Sequence, residues 1–234
     1  MLAARFAVIA MFCFSICATA QTRTLAVYPG DAVGLDSLSK HAITLELQRV
    51  LAPAGLDLEW RTPAEDSKQR QDAGRLVVGS FDGSCSVETL PQSPATPMGQ
   101  TGVLAETAVS NNRILPYFRV DCTRIIRTLA PTLGHLSVPF RSEIFGRAVA
   151  RVIAHEIYHI LAQTADHEAS GLAKAQLSRE ELISSRFDLS PASLRRMQAS
   201  FPPGTPGVPS GRLVALGPRQ VPSAVPSDVV LLRE

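Results

Sequence analysis

Residues 142–163 read SEIFGRAVARVIAHEIYHILAQ and predict one long helix. Ser142 is a suitable N-cap, and Glu143 lies in the first turn, where the helix dipole favours a negative charge. Glu143 and Arg147 are four residues apart, the spacing of an ion pair on an exposed helix face. From residue 148 onward the pattern is apolar on nearly all sides. Such a helix is buried, so the few polar side chains within it need partners.

The polar residues of this helix form the pattern H-E-x-x-H, from His155 to His159. Residues four apart lie one turn apart on the same face, so both imidazoles can reach one Zn²⁺. Glu156 lies beside them and can take a proton from a water without binding the metal itself. The alternative is a buried helix whose histidines bond to the backbone, with Glu156 paired to Arg151 or to a histidine. Satisfying this buried polar cluster by hydrogen bonds alone is costly, which favours a bound cation.

Residues 142–171 resemble the active-site helix of the zincin metallopeptidases, and the chain resembles the metzincin branch of that family. In that branch the motif continues as x-x-G-x-x-H, and the third histidine completes the zinc site. Here Ala162 stands at the position of the glycine, and His167 follows two residues late. The Met-turn of the branch is not evident, because Met197 lies in a predicted helix.

The third metal ligand has three candidates. His167 is favoured, because the residues after Gln163 leave room to turn a loop imidazole back onto the metal. A glutamate of the following helix, Glu180 or Glu181, would instead give the His₂Glu set of thermolysin-like enzymes. Glu168 is a further candidate.

The resemblance implies an exported zinc metalloendopeptidase. Zinc on His155, His159 and His167 would activate a water, and Glu156 would serve as general base. In zincins the substrate, a peptide or protein, binds as an added antiparallel strand at a sheet edge, here 102–109 or 114–120. The alternative is a non-enzymatic envelope protein with a zincin fold and a structural or vestigial metal site. The presence of Glu156 favours the enzyme, because a purely structural site has no use for a base.

The remainder of the chain predicts an α+β fold. A mixed β-sheet would pack on the buried helix that carries H-E-x-x-H, followed by a small helical C-terminal part. A helix is predicted from Ser37 or Ser39, either of which can cap it, to Leu51. Two shorter helices are predicted at 178–185 and 191–200. The predicted strands are 24–28, 56–60, 74–81, 102–109 and 114–120.

The first 20 residues predict a secretory signal peptide, cleaved before Gln21. Arg5 precedes a short apolar run and an A-x-A site, and the run is too short for the ~20 residues of a membrane span. A lipoprotein with Cys17 as the lipidated residue is the other alternative. Export removes Cys13 and Cys17 and leaves Cys85 and Cys122. In an oxidising compartment these two predict one disulfide.

Three segments are therefore predicted: the signal at 1–20, a zincin-like catalytic domain at 21–200, and a Pro/Gly-rich, disordered tail at 201–234. Hydrophobic residues make up 45% of the chain, which is typical of a globular protein. Its formal net charge of +2 provides no electrostatic footprint for nucleic acid. The predicted mature protein is secreted or periplasmic, monomeric and without membrane contact.

Overall fold

The computed structural model describes residues 23–62, 75–90 and 102–201, and the backbone of 230–232. The predicted signal peptide and most of the predicted tail lie outside these residues. The described chain is α+β, as predicted, with a six-stranded mixed sheet. Its strands are β1 Arg23–Pro29, β2 Leu56–Trp60, β3 Arg75–Asp82, β4 Ala105–Ser110, β5 Arg113–Asp121 and β6 Val230–Leu232.

The strand order in the sheet is β2-β1-β3-β5-β4-β6. The first four strands of this order run parallel, and β4 is antiparallel to both β5 and β6. A two-residue turn joins β4 to β5, with Asn111 and Asn112 at φ 48° and 58°. Asparagine tolerates this left-handed backbone, and two such residues suit a tight hairpin. The predicted tail supplies β6, so a piece of that tail belongs to the sheet.

The helices are α1 Ser37–Leu51, α2 Cys122–Leu133, α3 Val138–Ala162, α4 Arg179–Ile183 and α5 Pro191–Ala199, with a 3-10 turn at Ala52–Ala54. Helix α3 is the long helix of the opening motif, and all of its residues from 148 to 161 are buried. It lies under the sheet and packs against the other helices. The prediction of a buried helix is confirmed.

The start of α3 was predicted wrongly. The helix begins at Val138, with Ser137 as its N-cap and Pro139 in the first turn. Proline is compatible with that position because the first N–H groups of a helix have no partner within it. Ser142 is therefore inside the helix, and its hydroxyl donates to Asp36 Oδ2 over 3.0 Å.

Asp36, rather than Ser37 or Ser39, is the N-cap of α1. Its carboxylate accepts the Ser39 N–H over 2.9 Å. The two helices are close here: a Cβ on Gly146 of α3 would lie 2.6 Å from the Ser39 carbonyl oxygen. A side chain at position 146 would therefore separate α1 from α3.

Helix α2 is absent from the sequence-based prediction, which assigns no element between the strand 114–120 and the helix at Ser142. Asp121 ends β5 and caps the helix by accepting the Arg124 N–H over 2.8 Å. Pro131 lies inside the last turn, where proline removes a backbone donor but does not stop the helix. The sequence feature that indicates α2 is the helical spacing of four apolar residues that the helix buries: Ile125, Ile126, Leu129 and Leu133.

Cys85 and Cys122 form the predicted disulfide. Both cysteines are buried, and the bond connects the segment after β3 to the first residue of α2. We expect Cys85→Ala/Cys122→Ala to lower the free energy of unfolding by about 4 kcal/mol, because the 37-residue loop is then unrestrained in the unfolded chain. Guanidinium unfolding of both proteins measures this difference. An equal midpoint for the two proteins would contradict it.

A buried ion pair joins α1 to the helix of the H-E-x-x-H motif. Arg151 of α3 is fully buried, and its Nε donates to Glu46 Oε1 over 2.7 Å. Arg49 donates to both oxygens of the same carboxylate. Burial by itself raises the pKa of Glu46, but the hydrogen bonds from Arg49 and Arg151 outweigh it, so the pKa lies below its usual value.

We expect Glu46→Gln to lower the free energy of unfolding by about 3 kcal/mol at pH 7, because Arg151 then stays buried without a counter-charge. Because the pKa of Glu46 is lower in the folded chain, its ionised carboxylate stabilises the fold fully above the pKa of the unfolded chain, ~4.3. This stabilisation is lost as the pH falls through the pKa of the folded chain. The gap between parent and variant should therefore shrink below about pH 4 in urea titrations. Glu143→Gln is the control, since its pair with Arg147 is exposed and worth at most ~0.5 kcal/mol. Equal costs for both variants, or a difference in unfolding free energy that does not shrink as the pH is lowered, would contradict the prediction.

No helix in the described part of the chain is long and apolar enough to cross a membrane.

Candidate metal centre

The structure brings His155, His159 and His167 together. The first two project from adjacent turns of α3, and the third comes from the loop that follows it. One ring nitrogen from each histidine lies within 4.8 Å of the other two. The two histidines of α3 are buried, and His167 is half-buried. The predicted trio thus forms a compact set of ligand atoms.

Backbone carbonyls fix the orientation of both helical histidines. His155 Nδ1 lies 2.7 Å from the Leu172 carbonyl oxygen, and His159 Nδ1 lies 2.6 Å from that of Thr164. A carbonyl oxygen only accepts, so each Nδ1 carries a proton and each neutral ring has a lone pair on Nε2. Metal-binding histidines usually donate their second nitrogen to an oxygen in this way.

The two Nε2 atoms lie 3.0 Å apart. Two acceptor nitrogens at this distance need a shared cation, either a proton or a metal ion. Two ligands of a tetrahedral zinc are ~3.3 Å apart, given Zn–N bonds of ~2.0–2.1 Å. The donor set and its spacing therefore fit a zinc ion. The alternative of backbone-bonded histidines accounts for the Nδ1 atoms and requires a shared proton between the two Nε2 atoms.

A left-handed residue turns the chain from α3 toward His167. Gln163 ends the helix with φ 50° and ψ 43°, and its N–H donates to the His159 carbonyl. Left-handed backbone costs a non-glycine residue ~1–2 kcal/mol. The Gln163 side chain compensates by donating to the carbonyls of Ile160 and Ile114, over 2.7 and 3.2 Å. The turn thus needs no glycine at Ala162, because the next residue adopts the strained conformation.

Glu156 faces the sheet rather than Arg151. Its Oε2 accepts a hydrogen bond of 2.5 Å from the hydroxyl of Thr107 on β4, and both residues are buried. Arg151 pairs with Glu46 instead, so the proposed pairing of Glu156 with Arg151 is wrong. The Thr107 hydroxyl therefore fixes the Glu156 carboxylate beside the two helical histidines.

The other candidate ligands have partners elsewhere. Glu181 accepts from Lys174 over 2.6 Å and from the Ser178 N–H over 2.8 Å, the latter as part of the capping box of α4. Glu180 is exposed on the same helix. Glu168 forms an ion pair of 3.5 Å with Arg196. Among the described residues, the group that could hold a metal consists of the three histidines alone.

A pocket opens beside the histidines, between α3 and the start of β4. His155, Glu156 and Val152 form one wall, residues 102–105 form another, and Gln176 and neighbouring residues close it. Glu156 and His155 therefore line a cavity that is also bounded by residues at the start of β4.

The other two histidines and the tyrosine of the motif take no part in the site. His41 and His135 are exposed, and Tyr158 is buried with its hydroxyl accepting from Arg196 over 3.1 Å. The sequence analysis did not find Thr107 or the carbonyls of Leu172 and Thr164. A carbonyl has no sequence signal, and a threonine in a strand is too common to be one.

No protein-family model matches this sequence, and comparisons with curated proteins and with solved structures find no similar protein.

Proposed function

We propose that this chain is an exported zinc metalloendopeptidase of the zincin type, with metzincin-like use of three histidines. The convergence of His155, His159 and His167 beside the buried carboxylate of Glu156 carries this proposal. Export is supported by the predicted signal sequence and by the disulfide, because disulfides persist in oxidising compartments.

The three histidines would hold the metal and keep its remaining position open. A bound zinc ion would supply Lewis acidity to the scissile carbonyl and to the attacking water. Glu156 would take the proton of that water and pass it to the leaving amine. Thr107 would hold the carboxylate in position through its hydroxyl. Leu172 and Thr164 would keep both helical histidines in the tautomer that binds metal through Nε2.

The alternative function is a non-enzymatic envelope protein with a structural or vestigial metal site. Structural zinc sites are usually closed by four protein ligands, whereas catalytic sites use three. Within the described ranges the metal-binding group has three members, which favours the enzyme.

Metal removal tests the proposal. We expect the purified protein to hydrolyse casein or a pool of unstructured peptides, to lose this activity after dialysis against a chelator, and to regain it with one equivalent of zinc. Metal content is measured in parallel at each step. If zinc binds stoichiometrically but no peptide is hydrolysed, the non-enzymatic alternative replaces the peptidase.

A further inference from the structure

The outer edge of β4 is occupied by the chain's own C-terminal segment. Val230–Leu232 pairs antiparallel with β4, with Leu232 opposite Thr107 and Val230 opposite Val109. This segment follows 28 residues, 202–229, that are rich in proline and glycine. The pairing places a distant part of the sequence next to the strand that contacts the general base.

The position of β6 is adjacent to the candidate site. Thr107 directs its side chain to Glu156, while its backbone pairs sideways with Leu232. Neighbouring strands lie ~4.8 Å apart. A segment paired with the edge of β4 therefore lies ~4.8 Å from the backbone of Thr107, whose side chain contacts Glu156. The start of β4 also lines the pocket beside His155. An extended peptide that adds to this edge would thus pass next to the base.

We propose that Val230–Leu232 occupies the peptide-binding edge of β4 and must leave it before an extended substrate can bind there. The part of this inference that concerns substrate rests on the proposed peptidase function. The strand bonds of β6 are main-chain bonds, so they are the same bonds that an unrelated peptide would form. The chain's C-terminal segment would therefore act as a built-in competitor.

Tethering favours the internal segment over a free peptide. A segment on the same chain meets its binding edge at an effective concentration of ~1 mM. A three-residue strand is nevertheless short, and isolated short strand pairs are marginally stable. The competitor should therefore be displaceable, and we expect it to reduce apparent peptide affinity by about ten-fold.

The test uses the full chain with Leu231→Pro/Leu232→Pro. Successive N–H groups of a strand point to opposite sides, so one of these two leucines donates toward β4, and proline removes that donor. Ser223→Pro/Ala224→Pro is the matched control, because it adds two prolines outside the strand. The single variants Leu231→Pro and Leu232→Pro should differ, since only one of them removes the donor that faces β4.

Two measurements decide the inference without any hydrolysis. We expect amide hydrogen exchange in residues 105–110 to become at least about ten-fold faster in the double variant and to stay unchanged in the control. We expect a fluorescent peptide with the sequence of residues 225–234, VPSDVVLLRE, to bind the double variant about ten-fold tighter than the parent chain. Both measurements are made on Glu156→Gln protein, which prevents cleavage of the peptide.

Each result has a defined meaning. Unchanged exchange in the double variant would show that β6 does not occupy the edge. Faster exchange without peptide binding would show that β6 only protects a bare strand edge, and would overturn the proposal. Tighter peptide binding in a protein that holds no zinc would refute the proposed peptidase while leaving the competition at the edge in place. If the protein hydrolyses peptides, the double variant should show about ten-fold higher kcat/KM, and an unchanged value would overturn the inference.

Discussion

His155→Ala and His159→Ala should each abolish zinc binding, and the parent chain should bind about one zinc per molecule. Each substitution removes one of the two Nε2 atoms that lie 3.0 Å apart, and both histidines are buried. The other two histidines should not compensate, because the group that could hold a metal among the described residues has three members. Metal analysis by mass spectrometry and competition with a chromophoric chelator measure the loss.

His167→Ala should lower zinc affinity by several orders of magnitude, since it leaves two protein ligands where three are needed. Glu180→Ala and Glu181→Ala should bind zinc like the parent, because one side chain is exposed and the other is bonded to Lys174 and Ser178. His135→Ala is the matched histidine control, because His135 is exposed and outside the cluster. Circular dichroism of the metal-free proteins verifies that each variant remains folded.

The opposite pattern would identify a different site. If zinc survives His167→Ala and is lost with Glu181→Ala, the ligand set is His₂Glu and the three-histidine arrangement is wrong. If zinc survives both His155→Ala and His159→Ala, the zincin proposal fails.

The sequence predicted those parts of the fold that depend on residues close together in the chain. The H-E-x-x-H spacing places two histidines on one helical face whatever surrounds them. The two cysteines outside the predicted signal peptide have one simple pairing. No helix was predicted at α2, although its buried apolar residues have helical spacing and proline in the last turn removes only one donor. The start of α3 was misplaced because Ser142 has the chemistry of a cap. Its hydroxyl instead bonds to Asp36, 106 residues away, and a contact at that separation leaves no local pattern.

The same distinction applies to the site. His155, His159 and Glu156 were selected from their spacing, and His167 was favoured because the loop before it was long enough, and the structure brings the three histidines together. The contact between Thr107 and Glu156 joins residues 49 apart in sequence and depends on where the sheet lies over α3. Strand β6 pairs with β4 although the two strands are far apart in sequence, with Leu232 opposite Thr107. Strand β6 also lies in a segment whose composition predicts disorder. Long-range contacts of this kind are decided by packing, which local propensity does not encode.

Glu156→Gln should keep zinc and lose peptide hydrolysis by a factor of about 10²–10⁴. The amide occupies nearly the same volume as the carboxylate and can still accept from Thr107, so the packing of this buried position is retained. It cannot take a proton from water, however, so the step that generates the nucleophile loses its base. We expect the change to lie in kcat, with little effect on KM, because a base acts in the transition state and not in substrate binding.

Thr107→Val gives a graded version of the same experiment. Valine replaces the hydroxyl by a methyl group of similar size and leaves the carboxylate without its hydrogen bond from β4. Hydrogen bonds to charged groups are worth ~1.5–3 kcal/mol, so a loss of about ten-fold or more in kcat is expected, with zinc content unchanged. If Thr107 only supported packing, Thr107→Val would keep its activity, because valine preserves the side-chain volume, and Thr107→Ser, which loses the methyl group, would be impaired. Restored activity in Thr107→Ser would instead assign the effect to the hydroxyl.

Full activity in Glu156→Gln would exclude Glu156 as the base, whatever the metal content of the variants.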